Sequence, residues 1–220
     1  MVREGVLTNK RRFYNSAFAL SYLLALRVSE LNKITLADIS IYKTETSKIF
    51  LRVRTRNLKN GKMPIKNLIT PFNLNGQEKK IIKKALAQYI YLINPILKKY
   101  GYTWKQWIAR SPKIPLIEKD EITKELSNIY MYPSSASNSE KFKLHKNISR
   151  VGMWKAYSRY VNKNPHFFRK LRATHLYNIY QFSLKELQRF MGHSDVRSST
   201  PYTLVNLTNI ENKFLDAEVH

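Results

Sequence analysis

Residues 165–202 read PHFFRKLRATHLYNIYQFSLKELQRFMGHSDVRSSTPY. The stretch carries two histidines, an arginine and a tyrosine in a fixed order: His166, Arg169, His193 and Tyr202. His166 and Arg169 stand three apart, so a helix places them on one face. One helix is expected from about Pro165 to Tyr180, with Pro165 suited to the first turn. A second is expected from Ser183 to Met191, where Ser183 and Glu186 have capping-box spacing. Gly192 can end that helix and release the chain into a turn before His193. Tyr202 follows nine residues later, after the polar run SDVRSST and Pro201.

Far upstream, residues 25–39 read ALRVSELNKITLADI and hold Arg27 with Glu30 one turn away. Before them, residues 1–12 read as a basic lead-in, frayed at the terminus. Residues 13–26, FYNSAFALSYLLAL, read as a helix buried on most sides. A short helix follows, with Ser29 as its expected cap and Leu31 and Ile34 turned inward. Between 39 and 71 the period changes to two, giving three strands, ISIY, KIFLRVR and KMPIKNLITP. Ile49, Leu51 and Val53 are expected to face the core, and Arg52, Arg54 and Arg56 to face out. Lys59-Asn60-Gly61-Lys62 marks a basic hairpin tip, since Asn-Gly is a strong hairpin signal; the same four residues also fit an ordinary solvated turn.

From Asn75 a long helix is expected to about Lys99, kinked or divided by Pro95 and stopped by Gly101. Its buried stripe is read as Ile81, Ile82, Leu86, Tyr89, Ile90 and Ile93. Residues 101–145 read as an extended loop and helical insertion. A short helical piece there carries Trp104 and Trp107, a helix spans Glu118 to Tyr132, and Pro133 to Glu140 is a loop by composition. A helix from Lys146 to Val161 is expected to turn Ile148, Val151, Trp154 and Tyr157 inward. After Tyr202, Leu204, Leu207 and Ile210 mark a final amphipathic helix. The fold class expected is mainly α with a small antiparallel three-stranded sheet.

The 220 residues suit one domain or two small ones. With 39 Lys and Arg against 15 Asp and Glu the net charge is +24, spread along the whole chain. Such a surface attracts a polyanion, and nucleic acid is the first candidate. No apolar run reaches the roughly 18 residues of a membrane span, and no signal-peptide pattern opens the chain. Cysteine is absent, which excludes disulfides and thiolate metal sites. No histidine pair has zinc-motif spacing, so neither a metal nor another cofactor is expected.

The ordered set H-x-x-R, then G-H, then a tyrosine nine residues on, with L-R-x-S-E-L upstream and a basic hairpin between, resembles the tyrosine recombinase (phage integrase) family, with an Xer-like G-H-S-D. The resemblance covers roughly Ser16 to Leu207. It implies the catalytic-domain fold of that family and strand cleavage of double-stranded DNA. Tyr202 would attack the phosphodiester and form a 3′-phosphotyrosine link, leaving a 5′-hydroxyl. Arg27 and Arg169 would clamp the non-bridging oxygens and stabilise charge in the pentavalent transition state. His193 would donate a further hydrogen bond to that phosphate. A phenol ionises near pH 10, so Tyr202 needs a proton acceptor, and His166 fits. In the family a hairpin lysine protonates the departing oxygen; Lys59 is the choice here and Lys62 the alternative. The covalent link conserves bond energy, so rejoining requires no ATP.

Glu30 has two readings: a carboxylate that orients Arg27, or an ordinary first-turn acid favoured by the helix dipole. His175, nine residues after His166, reads as a packed core histidine. Each site residue alone has a bland reading; Tyr202 is one of 14 tyrosines. It is their joint order that carries the assignment. Two positions depart from the family pattern: Lys170 stands where a histidine is common, and Ala25-Leu26 where Gly-Leu is common. The family's N-terminal core-binding domain is expected to be absent, so the chain is either a fragment of a longer protein or a minimal enzyme. Residues 203–220 are expected to pack on a neighbouring subunit or on their own domain. A homo-oligomer, a tetramer on paired DNA sites, is implied, within the cytoplasm or nucleoid of a prokaryotic host, and a virus or plasmid suits the composition. Two alternatives stand beside a site-specific recombinase: a type IB topoisomerase-like enzyme and a non-enzymatic basic DNA-binding protein.

Overall fold

Small residues at one helix interface set the architecture. The computed structural model describes residues 2–43, 49–56, 65–71, 76–110, 120–135 and 142–192. It forms two compact units, Met1–Arg169 and Lys170–His220. The first helix, α1 (Val2–Leu23), extends through the segment read as a lead-in. Its Ser16, Ala17, Ala19 and Ser21 are buried together with Leu20, Leu23 and Leu24. The small side chains let α3 (Gly76–Lys99) come close: the Ser16 hydroxyl donates to the Ala85 main-chain carbonyl of α3 at 2.6 Å. Ser16 also shares a hydrogen bond with the buried Tyr132 hydroxyl at 3.1 Å, and the Tyr157 hydroxyl donates to Ser21 at 2.5 Å. Each polar atom placed in this apolar interface therefore has a partner, as burial requires. Edge-on ring contacts of Phe13 with Tyr132 and of Phe18 with Tyr157 fill the space around them.

The sheet follows α2 (Val28–Leu31) and a single 3-10 turn at Leu36–Asp38. Strands β1 (Ile39–Lys43), β2 (Ile49–Arg56) and β3 (Ile65–Pro71) form an antiparallel sheet in the order β1-β2-β3. The register pairs Ile41 with Leu51, Ile39 with Val53, and Val53 with Leu68. Leu51 and Val53 are fully buried while Arg52 and Arg54 are half-exposed, as the alternation predicts. The side chains of Ile49 and Arg56 lie outside what is described. So do residues 57–64, which join β2 to β3 and include Lys59 and Lys62.

Helix α3 runs unbroken through Pro95, so that residue does not divide it. Its buried face is Ile82, Ala85, Leu86, Tyr89, Ile93, Ile96 and Leu97. Ile90 is exposed and Ile81 half-exposed, against expectation, because the stripe continues through Ala85 and Ile96 instead. Gly101, at φ +71°, ends the helix. Its amide donates to the Lys98 carbonyl and that of Tyr102 to the Leu97 carbonyl, a glycine-type stop.

The interval after Gly101 differs most from the sequence reading. Helix α4 (Trp104–Arg110) is as expected, but α5 spans only Glu121–Ser127. Beyond it, Ile129, Met131 and Tyr132 are buried in bends on either side of Tyr130, which bridges to Thr35. That segment lies between two others. The Met131 amide donates to the Ile34 carbonyl and the Leu36 amide to Ile129. On the other side the Tyr130 amide donates to Leu144, and the Ile148 amide to Tyr132. The expected loop at Pro133–Glu140 begins as a strand, β4 (Pro133–Ser135), paired with β5 (Phe142–Asn147) in a second, two-stranded sheet. Because β5 occupies residues through Asn147, α6 starts only at Arg150 and runs to Val161, capped by Ser149. Its inner face is Met153, Ala156 and Tyr157; Tyr157 is inward as expected, but Val151 and Trp154 are exposed where they were expected inward.

Helix α7 (His166–Asn178) crosses from the first unit into the second. In the second unit, Ala173, Leu176, Leu187 and Met191 are buried. Arg172 lies over the Tyr180 ring at 5.3 Å. Helix α8 (Leu184–Met191) opens with the expected capping box: Ser183 Oγ accepts from the Glu186 amide, and Glu186 accepts from the Ser183 amide at 2.8 Å. The Ser183 hydroxyl also donates to Glu186 Oε2 at 2.7 Å, and this bond, with the one from the Ser183 amide, holds the Glu186 carboxyl below its ordinary value. A lowered carboxyl stabilises the folded form above its unfolded value, and the contribution is lost as pH falls through the folded one.

Replacing Ser16 by alanine strands the buried Tyr132 hydroxyl and removes the bond to the Ala85 carbonyl, which lies mid-helix in α3. Urea unfolding is expected to show a loss of about 1–3 kcal/mol, seen as a lower midpoint at unchanged m.

Candidate active site

Arg27 follows a turn in which every backbone bond is accounted for. At the end of α1 the Ala25 amide donates to the Tyr22 carbonyl and the Leu26 amide to Ser21. This is the paired bonding of a Schellman stop. It requires the residue between to be left-handed, and Ala25 is, at φ +49°. The turn lets the chain re-enter extended backbone at Arg27 (φ −76°, ψ 152°), which serves as N-cap of α2. Ser29, the expected cap, stands one residue inside the helix. The capping is done from the other direction: Glu30 accepts from the Arg27 main-chain amide at 2.7 Å through Oε2. Its other oxygen, Oε1, accepts from Arg27 Nη1 at 3.1 Å. Glu30 is buried and the Arg27 side chain is a quarter exposed. The carboxylate therefore fixes both the backbone and the guanidinium of Arg27, and the helix dipole adds to its stability. Both of its readings in the sequence hold at once.

Arg169 comes to the same turn from the far end of the chain. It lies in the first turns of α7, buried at 4% exposure, and its Nη1 donates to the Ala25 carbonyl, 144 residues away in sequence. The second arginine is thus held two residues from the first. His166, at the start of the same helix, is exposed. Phe168, between them, stacks against Phe18 of α1 and meets Tyr157 edge-on. These ring contacts fix the N-terminal turn of α7 on α1. His175, in the second unit, is half-buried and its neighbour Ile179 is exposed, so it is not a core histidine.

Of the expected site residues, the structure brings Arg27, Glu30 and Arg169 to one turn, with His166 one helical turn before Arg169. Lys59, Lys62, His193 and Tyr202 lie outside the described residues, as does the amphipathic segment 204–217. Among the described tyrosines, Tyr22, Tyr89, Tyr132 and Tyr157 are buried. Burial pushes the phenols of the last three well above their ordinary value, so none of these is suited to nucleophilic attack. The sequence reading missed Ala25 as a positioning element. Its signal was the departure from Gly-Leu, read only as a neutral difference. Among the described residues there is no cluster of metal-ligating side chains and no helix long and apolar enough to cross a membrane.

No family model matches the sequence, and no curated protein matches it. Solved structures do resemble it. The XerH site-specific recombinase bound to palindromic difH substrate, a post-cleavage complex, aligns at a TM-score of 0.51 with 14% identity, covering 92% of this chain and 45% of that one. The pre-cleavage XerH complex with difH aligns at 0.48 with 16% identity, over 91% of this chain and 45% of that one. The XerA recombinase aligns at 0.45 with 16% identity, over 94% and 62%. The chain spans less than half the length of the XerH structures. The fold is that of the tyrosine recombinase catalytic domain.

Left-handed backbone costs an alanine more than a glycine. Ala25→Gly is expected to raise the unfolding free energy by up to about 1 kcal/mol. Ala25→Val, β-branched in the same conformation, is expected to lower it by more than that; urea titrations of both variants measure the pair.

Proposed function

We propose that the protein is a site-specific DNA recombinase of the integrase or resolvase type, which cleaves and rejoins duplex DNA through a covalent bond to Tyr202. The observation that carries this is the meeting of Arg27 and Arg169 at one left-handed turn, on a fold shared with XerH. An Arg169 guanidinium bound at the Ala25 carbonyl, two residues before Arg27, suits a shared role at a scissile phosphate, whose non-bridging oxygens take charge as the transition state forms. Pre-positioning matters: Arg27 is fixed by Glu30 and Arg169 by the Ala25 carbonyl, so neither must be ordered when DNA arrives.

In the step itself, the Tyr202 phenol oxygen forms a bond to phosphorus while the bond from phosphorus to the 5′-oxygen breaks. His166 takes the phenol proton, Lys59 gives one to the departing oxygen, with Lys62 as alternative, and His193 hydrogen-bonds the phosphate. The reverse step, by a 5′-hydroxyl of another strand, completes exchange without ATP. His166 suits its role by exposure at the start of α7. The net charge of +24 supplies attraction to the duplex. A homotetramer on paired sites, acting inside a prokaryotic cell on viral or plasmid DNA, completes the proposal.

The test is to mix the protein with supercoiled plasmid, quench with detergent and look for a protein–DNA adduct. An adduct is expected with the natural sequence and none with Tyr202→Phe. Arg27→Gln is expected to slow adduct formation by about 10²-fold or more. Relaxation of plasmid without exchange between two sites would favour a type IB topoisomerase-like enzyme. Binding with no adduct on a nicked site would leave a non-enzymatic DNA-binding protein.

A further inference from the structure

The two ends of α3 carry lysines for different reasons. At the C-terminal end, Lys98 and Lys99 sit where the helix dipole favours cations. Lys99 is also paired with Glu125 at 2.6 Å. At the N-terminal end, Lys79, Lys80, Lys83 and Lys84 are all exposed, within the first nine positions of a 24-residue helix. There the dipole disfavours Lys79, at the end of the first turn. The four also repel one another: Lys79 with Lys83, and Lys80 with Lys84, stand at the i, i+4 spacing that destabilises like charges, and Lys80 with Lys83 at i, i+3. No acidic residue stands three or four positions from any of the four, and the one acid of the first turn, Glu78, is buried. The apolar side of α3 is meanwhile fixed against α1 by Ser16 and Ala85, which leaves the lysines facing solvent.

Lysine suits an exposed helical face, but the repulsion among four of them opposes the cluster. An external polyanion would offset that repulsion. From Lys79 to Lys84 the patch spans about 7.5 Å at 1.5 Å per residue. Each strand of a duplex carries one phosphate charge per roughly 3.4 Å of axis, so that length presents about two on the strand the patch faces. Four lysines are enough to neutralise them.

We infer that the exposed face of α3 formed by Lys79, Lys80, Lys83 and Lys84 is a second contact surface for duplex DNA, binding backbone phosphates apart from the phosphate held by Arg27 and Arg169. It rests on the DNA-directed function proposed above only in taking duplex DNA as the partner; it needs no strand cleavage. Phosphate contacts without base contacts position a duplex and carry no sequence information. The patch therefore adds affinity equally on any sequence.

The experiment measures binding of the full chain to a 40-bp duplex of arbitrary sequence, as a function of sodium chloride concentration. It compares the natural protein with a variant changing all four α3 lysines to glutamine. A second variant removes the same charge elsewhere, by Lys98→Gln, Lys105→Gln, Lys124→Gln and Lys146→Gln. Each lost phosphate contact lowers the log–log salt slope by about 0.9. The α3 variant is expected to lose about 2 units of slope, and the control variant markedly less. A Lys79→Gln, Lys80→Gln double variant should lose about half as much. Circular dichroism of each variant checks that the fold survives. Equal losses in the α3 variant and the control would overturn the inference, since net charge alone would then explain the effect. An unchanged slope would also overturn it, leaving an acidic protein surface as the patch's partner. Adduct formation on a nicked duplex is read separately. Loss of the adduct with the slope difference intact sinks the recombinase reading and leaves this surface standing.

Discussion

The left-handed turn at Ala25 is the constraint on which the site depends. A helix as apolar as α1 must stop abruptly if the next residues are to leave the core, and the Schellman bonds from Ala25 and Leu26 stop it within one turn. That stop has a second effect. It turns the Ala25 carbonyl out of the helix ladder, where Arg169 reaches it. One backbone conformation thus sets the start of α2, the exit of Arg27 and the anchoring of Arg169. A buried guanidinium is costly without partners, so the carbonyl is part of what makes position 169 tolerable to an arginine.

Glu30 completes the arrangement from the other side. A buried carboxylate is stable only when paired and hydrogen-bonded. Here it accepts from the main chain and the side chain of the same residue, Arg27. The pair is local, within one helical turn, while Arg169 arrives from a distant helix. Local and long-range partners converge on three consecutive positions, 25 to 27, so the geometry of the site is a property of the packed fold and not of any one segment.

How much of this was legible in the sequence varies with the kind of signal. The three strands, the α8 capping box and the stop at Gly101 were readable because each has a short-range cause: alternation, Ser-x-x-Glu, a glycine after a periodic run. The phase of α6 was not, because Val151 and Trp154 continue the Ile148–Tyr157 spacing as well as Met153 and Ala156 fit the inner face. Only packing against α1 decides between the two stripes. The segment 129–132 was missed because its apolar residues follow a helical stretch without a break signal stronger than Ser127-Asn128. What keeps it out of a helix is hydrogen bonding to Ile34, Leu36 and Leu144, partners far away in sequence. At the site, the order of His166, Arg169, His193 and Tyr202 was visible, and so were both readings of Glu30. The grip of Arg169 on Ala25 was not, since no local pattern announces a positive φ at an alanine.

The polar partners of α1 all come later in the chain. Ser16 bonds to residues 85 and 132, and Ser21 to residue 157. Synthesis runs from the N-terminus, so α1 is made long before Tyr132 and Tyr157, which cover it. Synthesis at about 5–20 residues per second leaves α1 waiting on the order of ten seconds for Tyr157. A protein built this way completes the layer around α1 only once Tyr157 has been made. Its yield in a cell is therefore governed as much by what shields that helix in the interval as by the stability of the finished fold.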